Sequence, residues 1–116
     1  MDTLKTDKLE TYRTAIQTFL TEYASVPISN GDIETHTVFD VPNDHYQVIN
    51  IGWDGYRRVY GCVIHLDIKD GKVWLQHNST ERRVAHELVA IGVDQQDIVL
   101  GFQFPTMRQY TDFASA

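Results

Sequence analysis

The sequence predicts an α+β domain: a mainly antiparallel β-meander sheet with a long N-terminal helix and a second helix packed on one face. Three observations carry that prediction. The first is the stretch from His45 to Asn78, HYQVINIGWDGYRRVYGCVIHLDIKDGKVWLQHN, which reads as three strands joined at two Asp-Gly pairs, Asp54-Gly55 and Asp70-Gly71. Type I′ hairpin turns need positive φ at both central residues, which Gly accepts freely and Asp better than most. The second observation is register. A two-residue loop at Asp70-Gly71 sets Lys69 opposite Lys72, Ile68 opposite Val73, Asp67 opposite Trp74 and Leu66 opposite Leu75. Ile64, Leu66, Ile68, Val73 and Leu75 then share one face, while His65, Asp67, Lys69, Lys72 and Gln76 share the other; a slip of one residue would exchange the faces. The third is an apolar stripe near the N-terminus.

That stripe is Leu9, Tyr12, Ile16, Phe19, Leu20, Tyr23 and Ala24, spaced by threes and fours as an amphipathic helix requires. Asp7 followed by Glu10 resembles a capping box, and a start one turn earlier, near Asp2 or Thr3, is the alternative. Pro27 disfavours helical geometry at Val26, so the helix ends before it. Ser29-Asn30-Gly31-Asp32 reads as a loop and Ile33–Asp40 as a β-branched strand, with Pro42-Asn43-Asp44 turning into the meander. In the next strand Ile49, Ile51 and Trp53 alternate with Tyr46, Val48 and Asn50. It is apolar on both faces and belongs inside the sheet.

The second helix is expected from Ser79 to Ile91, with Asn78 as N-cap and Gly92 as its stop. Val84, Ala85, Leu88 and Ile91 point inward; Arg82, Arg83, His86 and Glu87 point to solvent. Asp94–Asp97 forms a helical turn, Ile98–Phe104 a short strand ended by Pro105, and Tyr110 and Phe113 anchor the tail on the domain or on a second subunit. The whole chain, 1–116, forms one domain.

Composition narrows the function classes. At 42% apolar and 22% charged the chain is globular rather than disordered. No run reaches the ~18 apolar residues of a membrane span, and MDTLKTDKLE lacks a signal peptide's apolar core, so a cytoplasmic protein is expected. A single cysteine excludes an internal disulfide. The net charge of −6 disfavours bare nucleic acid as the main partner, because such affinity comes from Lys and Arg neutralising phosphates. The charge is uneven: residues 57–83 hold Arg57, Arg58, Lys69, Lys72, Arg82 and Arg83 against Asp67, Asp70 and Glu81. That segment is either a solvated face or a mildly basic contact surface.

Tests for chemistry come back negative. His65 and His77 lie on adjacent strands, but the register sets them opposite Gln76 and Ile64, on different faces. His86-Glu87 begins like a zincin helix, yet the required second histidine is Ala90. His36 and His45 fall in separate elements without ligand spacing, so no metal site is expected. Cys62 aligns with Tyr60, Ile64 and Leu66 as a buried small hydrophobe, not an exposed electropositive nucleophile. Asp67-Ile68-Lys69 alone does not make a nuclease site, and no glycine loop cradles phosphate. No enzyme, cofactor or catalytic residue is expected. What remains is an interface candidate: Trp53, Tyr56, Arg57, Arg58, Tyr60, Trp74, Arg82 and Arg83, residue types enriched at hot spots.

GWDGYRRVYGCVIHLDIKDGKVWLQHNSTE, followed by DIVLGF and by Tyr110-Thr111-Asp112-Phe113-Ala114, resembles the XisI family of cyanobacterial fdxN element excision controlling factors from about Leu9 to Ala114. Departures are small: Tyr60 where histidine is common, and Asn78-Ser79 where Asp-Gly is common. The resemblance implies an accessory role in programmed excision of a DNA element from a nitrogen-fixation operon during heterocyst differentiation. It implies an XisH-like partner of nuclease-like fold and a separate site-specific recombinase. The family offers no catalytic residues. Three readings follow: a non-enzymatic regulatory subunit for an XisH-like protein, a direct DNA-binding factor using residues 57–83, or an antitoxin-like neutraliser of the partner. The polar second face of the sheet is either solvated or a homodimer contact.

Overall fold

The computed structural model describes residues 3–29 and 31–116; Asp2 and Asn30, invoked above for a helix start and a loop, lie outside them. Helix α1 spans Thr3–Ser25, followed by strands β1 (Asp32–Asp40), β2 (His45–Asp54), β3 (Arg57–Lys69) and β4 (Lys72–Asn78). Helix α2 (Val84–Ala90), a 3₁₀ turn (Gln95–Asp97), strand β5 (Ile98–Leu100) and a second 3₁₀ segment (Pro105–Tyr110) complete the chain. The five strands lie in sequence order in one sheet. The first four are antiparallel and β5 runs parallel to β4, which the crossover through α2 makes possible.

Both helices cover one face. Tyr12, Ile16, Phe19 and Leu20 of α1 and Val84, Ala85 and Leu88 of α2 close over Tyr46, Val48, Ile64, Leu66, Val73 and Leu75. The apolar stripe of α1 is therefore core. Neither α1 nor α2, as described, covers the other face of the sheet. Burial also stops abruptly along the β2–β3 hairpin, where no residue from Ile49 to Val63 is buried. This arm extends past the helices and contributes to the elongated shape, 52 × 30 × 24 Å.

The Asp70-Gly71 turn is as expected: Lys69 pairs with Lys72, and both central residues have positive φ, 54° and 77°. The first turn differs. Asp54 is the last residue of β2, paired with Arg57, so the loop is Gly55-Tyr56. Positive φ occurs there at Gly55 alone, the pattern of a II′ turn rather than I′. Asp7 lies inside α1 and does not cap it.

The second helix starts five residues later than the sequence suggests. Arg83, not Asn78, takes the N-cap place of α2; the Oδ1 of Asn78 accepts from the backbone N–H and the hydroxyl of Thr80, and its Nδ2 donates to Arg82 O. This Asx turn winds residues 78–82 into a compact loop, competing with helix as Asn side chains do. Gly92 ends α2 as expected, with φ 113° and the Val93 amide donating back to Leu88 O. Ile91, placed inward by periodicity, is exposed because the helix has already ended. The last strand stops at Leu100, leaving Phe102 and Phe104 exposed; Phe113 anchors the tail while Tyr110 projects outward.

Candidate functional site

The arm carries the first candidate surface. Trp53 and Arg58 are cross-strand partners near its end, and the guanidinium lies 5.2 Å from the indole centre while donating to Gly52 O. Tyr56, in the loop, is fully exposed, and Tyr60 is largely so. Arg57 makes only a long contact, 3.4 Å, with Asp54. The side chains project from paired backbone, a cheap way to present aromatic area because the strands already hold their Cα atoms.

The helix-free face carries the second. Asp67 on β3 is flanked by His65, two residues before it on the same strand, and by His45, its cross-strand partner on β2. Both imidazoles meet one oxygen: His45 Nδ1 is 2.8 Å and His65 Nε2 is 2.7 Å from Asp67 Oδ1. A carboxylate only accepts, so those two nitrogens carry the protons. Gln76 donates to the other oxygen, Oδ2, and Gln47 donates to His65 Nδ1. The aspartate's bond raises the pKa of His45 above the ordinary histidine value. Burial pushes the Asp67 carboxyl up, but hydrogen bonds from His45, His65 and Gln76 outweigh it and hold it below the usual range. A cleft of about 400 Å³ opens beside the cluster, lined by Val38, Asp40, His45, Gln47 and His65.

Of the eight interface residues proposed from sequence, five gather on the arm: Trp53, Tyr56, Arg57, Arg58 and Tyr60. Trp74 sits apart on the helix-free face beside Asp67, its ring 4.7 Å from the Lys69 ammonium and 5.1 Å from the Arg108 guanidinium. Its Nε1 is buried without an acceptor. Arg82 is bound into the domain: its guanidinium lies over Phe19 and Tyr23 and forms a two-pronged bond with Glu87. Its role is packing beside α1, not the free solvent-facing charge expected. Arg83 stays exposed next to His86, whose ring stacks edge-on against Phe113.

The XisI family profile, described as XisI protein, matches residues 6–115. The chain belongs to the XisI family. A XisI-like protein from Anabaena variabilis ATCC 29413 is 49% identical and superposes with a TM-score of 0.84, covering 94% of this chain and 99% of that one. The fdxN element excision controlling factor XisI from the same organism is 34% identical, with a TM-score of 0.78 and the same coverage. No curated protein matches.

Sequence reasoning missed the cluster for an identifiable reason. The β2–β3 and β3–β4 pairings each contain a register shift, one between Val48 and Ile49 on β2, the other between His65 and Leu66 on β3. The first inserts Val63 as an extra residue, so that His45 faces Asp67; an unbroken ladder would have set it against Leu66. Val63 O is in turn tied down by the Ser79 amide. The second inserts Gln76 and brings His77 opposite His65, not Ile64 as a regular register requires. Cys62 is displaced by the first shift: it pairs with Ile49, out of line with Ile64, and is half-buried rather than buried. Burial still pushes its thiol pKa up. The available signal was the His-x-Asp pair at 65 and 67, which on any strand shares a face.

Proposed function

We propose that this chain is a non-enzymatic regulatory subunit of an excision-control system, acting by gripping a protein partner through the β2–β3 arm. The single observation that carries the reading is the arm itself, with Trp53, Tyr56, Arg58 and Tyr60 exposed beyond the hydrophobic core. Large aromatics joined to arginine on a rigid, solvent-facing ribbon are the composition of an interface hot spot. The 34%-identical relative described as an fdxN element excision controlling factor supports the system, and the XisH-like protein with its recombinase is the proposed partner set.

Three arginines of the basic segment favour protein over DNA. Arg58 is stacked on Trp53, Arg57 leans on Asp54 and Arg82 is neutralised by Glu87, leaving few free cations for phosphates on a chain of net charge −6. The test is co-purification with an XisH-like protein encoded beside it, with light scattering with and without DNA. A stoichiometric complex without DNA, weakened by Trp53→Ala and Arg58→Ala, is expected. A DNA complex that fades with salt and no protein complex would replace this reading. Growth inhibition by the partner alone, relieved by this chain, would assign it the antitoxin-like role.

A further inference from the structure

We propose that His45, His65 and Asp67 form a binding site for a divalent transition-metal ion of the zinc class, open to solvent on the helix-free face. Two imidazoles and one carboxylate are the donor set that suits such ions, in contrast to the all-oxygen sets of Ca²⁺ and Mg²⁺. The geometry is near what a metal requires. One ligand atom from each of His45, His65 and Asp67 lies within 4.8 Å of the other two. A tetrahedral ion with bonds of about 2.0–2.1 Å places its ligand atoms roughly 3.3 Å apart, so the 2.7 and 2.8 Å contacts open by about half an ångström, within side-chain adjustment.

The surroundings are those of a supported site. Gln76 fixes Asp67 through Oδ2, and Gln76 is itself held close to Gly101, where a Cβ would fall 2.4 Å from its Oε1. Gln47 fixes His65 through Nδ1. Such outer contacts orient metal ligands and set their tautomers. When the ion enters, each neutral imidazole carries its proton on the nitrogen turned away from it. For His45 that is Nε2, toward solvent; for His65 it is Nδ1, which then donates to Gln47 Oε1 once the amide turns over. Among the described residues Asp67 has no lysine or arginine hydrogen-bond partner, and Asp40 lines the same cleft, so cationic charge is locally undersupplied. Three protein ligands leave a fourth position facing the cleft for water or a partner's side chain.

The experiment uses the full chain stripped with chelator and titrated with Co²⁺, then Zn²⁺. One equivalent of Co²⁺ should give visible d–d absorption of low-symmetry four- or five-coordination, and Zn²⁺ should displace it. Nuclear magnetic resonance on the unmodified chain should show the imidazole signals of His45 and His65 shifting together, with those of His36 and His77 unmoved. His65→Gln and Asp67→Asn should weaken binding at least 100-fold and Gln76→Ala about tenfold, since outer-contact losses fall between 10- and 100-fold. Absence of a visible Co²⁺ spectrum at millimolar metal would overturn the proposal. So would uptake reported by His36 or His77, or uptake retained in both His65→Gln and Asp67→Asn.

Discussion

The two faces of the sheet are built from alternate residues of the same strands, yet they are held by different physics. On the helix-covered face Tyr46, Val48, Ile64, Leu66 and Val73 are completely buried, and their contribution is area removed from water. On the other face the interleaved His45, Gln47, His65, Asp67 and Gln76 are joined by directional bonds, each with a named partner. Burial is non-directional and tolerates modest rearrangement. A hydrogen-bonded cluster depends on register, and here it exists only because of two bulges. The covered face should therefore control stability and the bare face and arm should control what the molecule binds.

The largest test of that division is Leu66→Ala. Removing a fully buried leucine between α1 and the sheet should cost about 3 kcal/mol or more. Thermal unfolding should show a fall of ten degrees or more. A loss below ~1 kcal/mol would mean that the covered face is not the seat of stability. Gly52→Ala probes the outer part of the arm, beside Trp53. A Cβ there would sit 2.0 Å from Asp32 O, a backbone atom with nowhere to go, so β1 must part from β2 locally. A cost of about 2 kcal/mol is expected, as for other overpacked sites, read in denaturant midpoints.

Trp53→Ala sharpens the contrast from the other side. The indole is half exposed and its internal contact is the Arg58 stack, so unfolding should change by less than about 1 kcal/mol. Partner affinity, measured by calorimetry, should fall about 30-fold, the size of a hot-spot truncation. A comparable loss of stability would move the tryptophan into the structural class and leave the arm without its principal anchor.

How much of this was legible beforehand follows the same division. The order of the three meander strands, the covered face and the stripe of α1 were readable because hydrophobic periodicity reports burial directly and the Asp70-Gly71 turn reports register; the places of β1 and β5 were not. The bulges were not readable. Val63 and Gln76 look like ordinary strand residues, and nothing in their types announces an extra place in the ladder. Once they are inserted, parity inverts beyond them, which moved Cys62 out of its predicted face and brought His45 to Asp67. The eight interface residues were chosen by type alone, and type does not distinguish Arg58 on the arm from Arg82 folded over Phe19. Asn78 was read as the N-cap of the second helix, whereas Arg83 takes that place and Asn78 organises a five-residue loop before it.

The smallest effect concerns the polar exception beneath the covered face. Tyr12, almost fully buried under α1, donates to Asp97 Oδ2 and accepts from the Asp94 amide, while Lys8 pairs with the same carboxylate at 2.6 Å. Burial and the aspartate's bond together push the phenol up to about 12. Burial also pushes the Asp97 carboxyl up, but bonds from Lys8 and Tyr12 outweigh it and hold its pKa below the usual range. A carboxyl depressed in the folded state contributes stability that is full above its unfolded value, ~3.9, and lost as pH falls through the folded one. Asp97→Asn keeps an acceptor for Tyr12 but loses the charge. It should lower stability by about 1 kcal/mol at pH 7, and that gap should close as both proteins are taken below about pH 4. A gap that persisted unchanged into acid would show the asparagine to be failing sterically, and the pin to be a packing feature like the rest of the covered face.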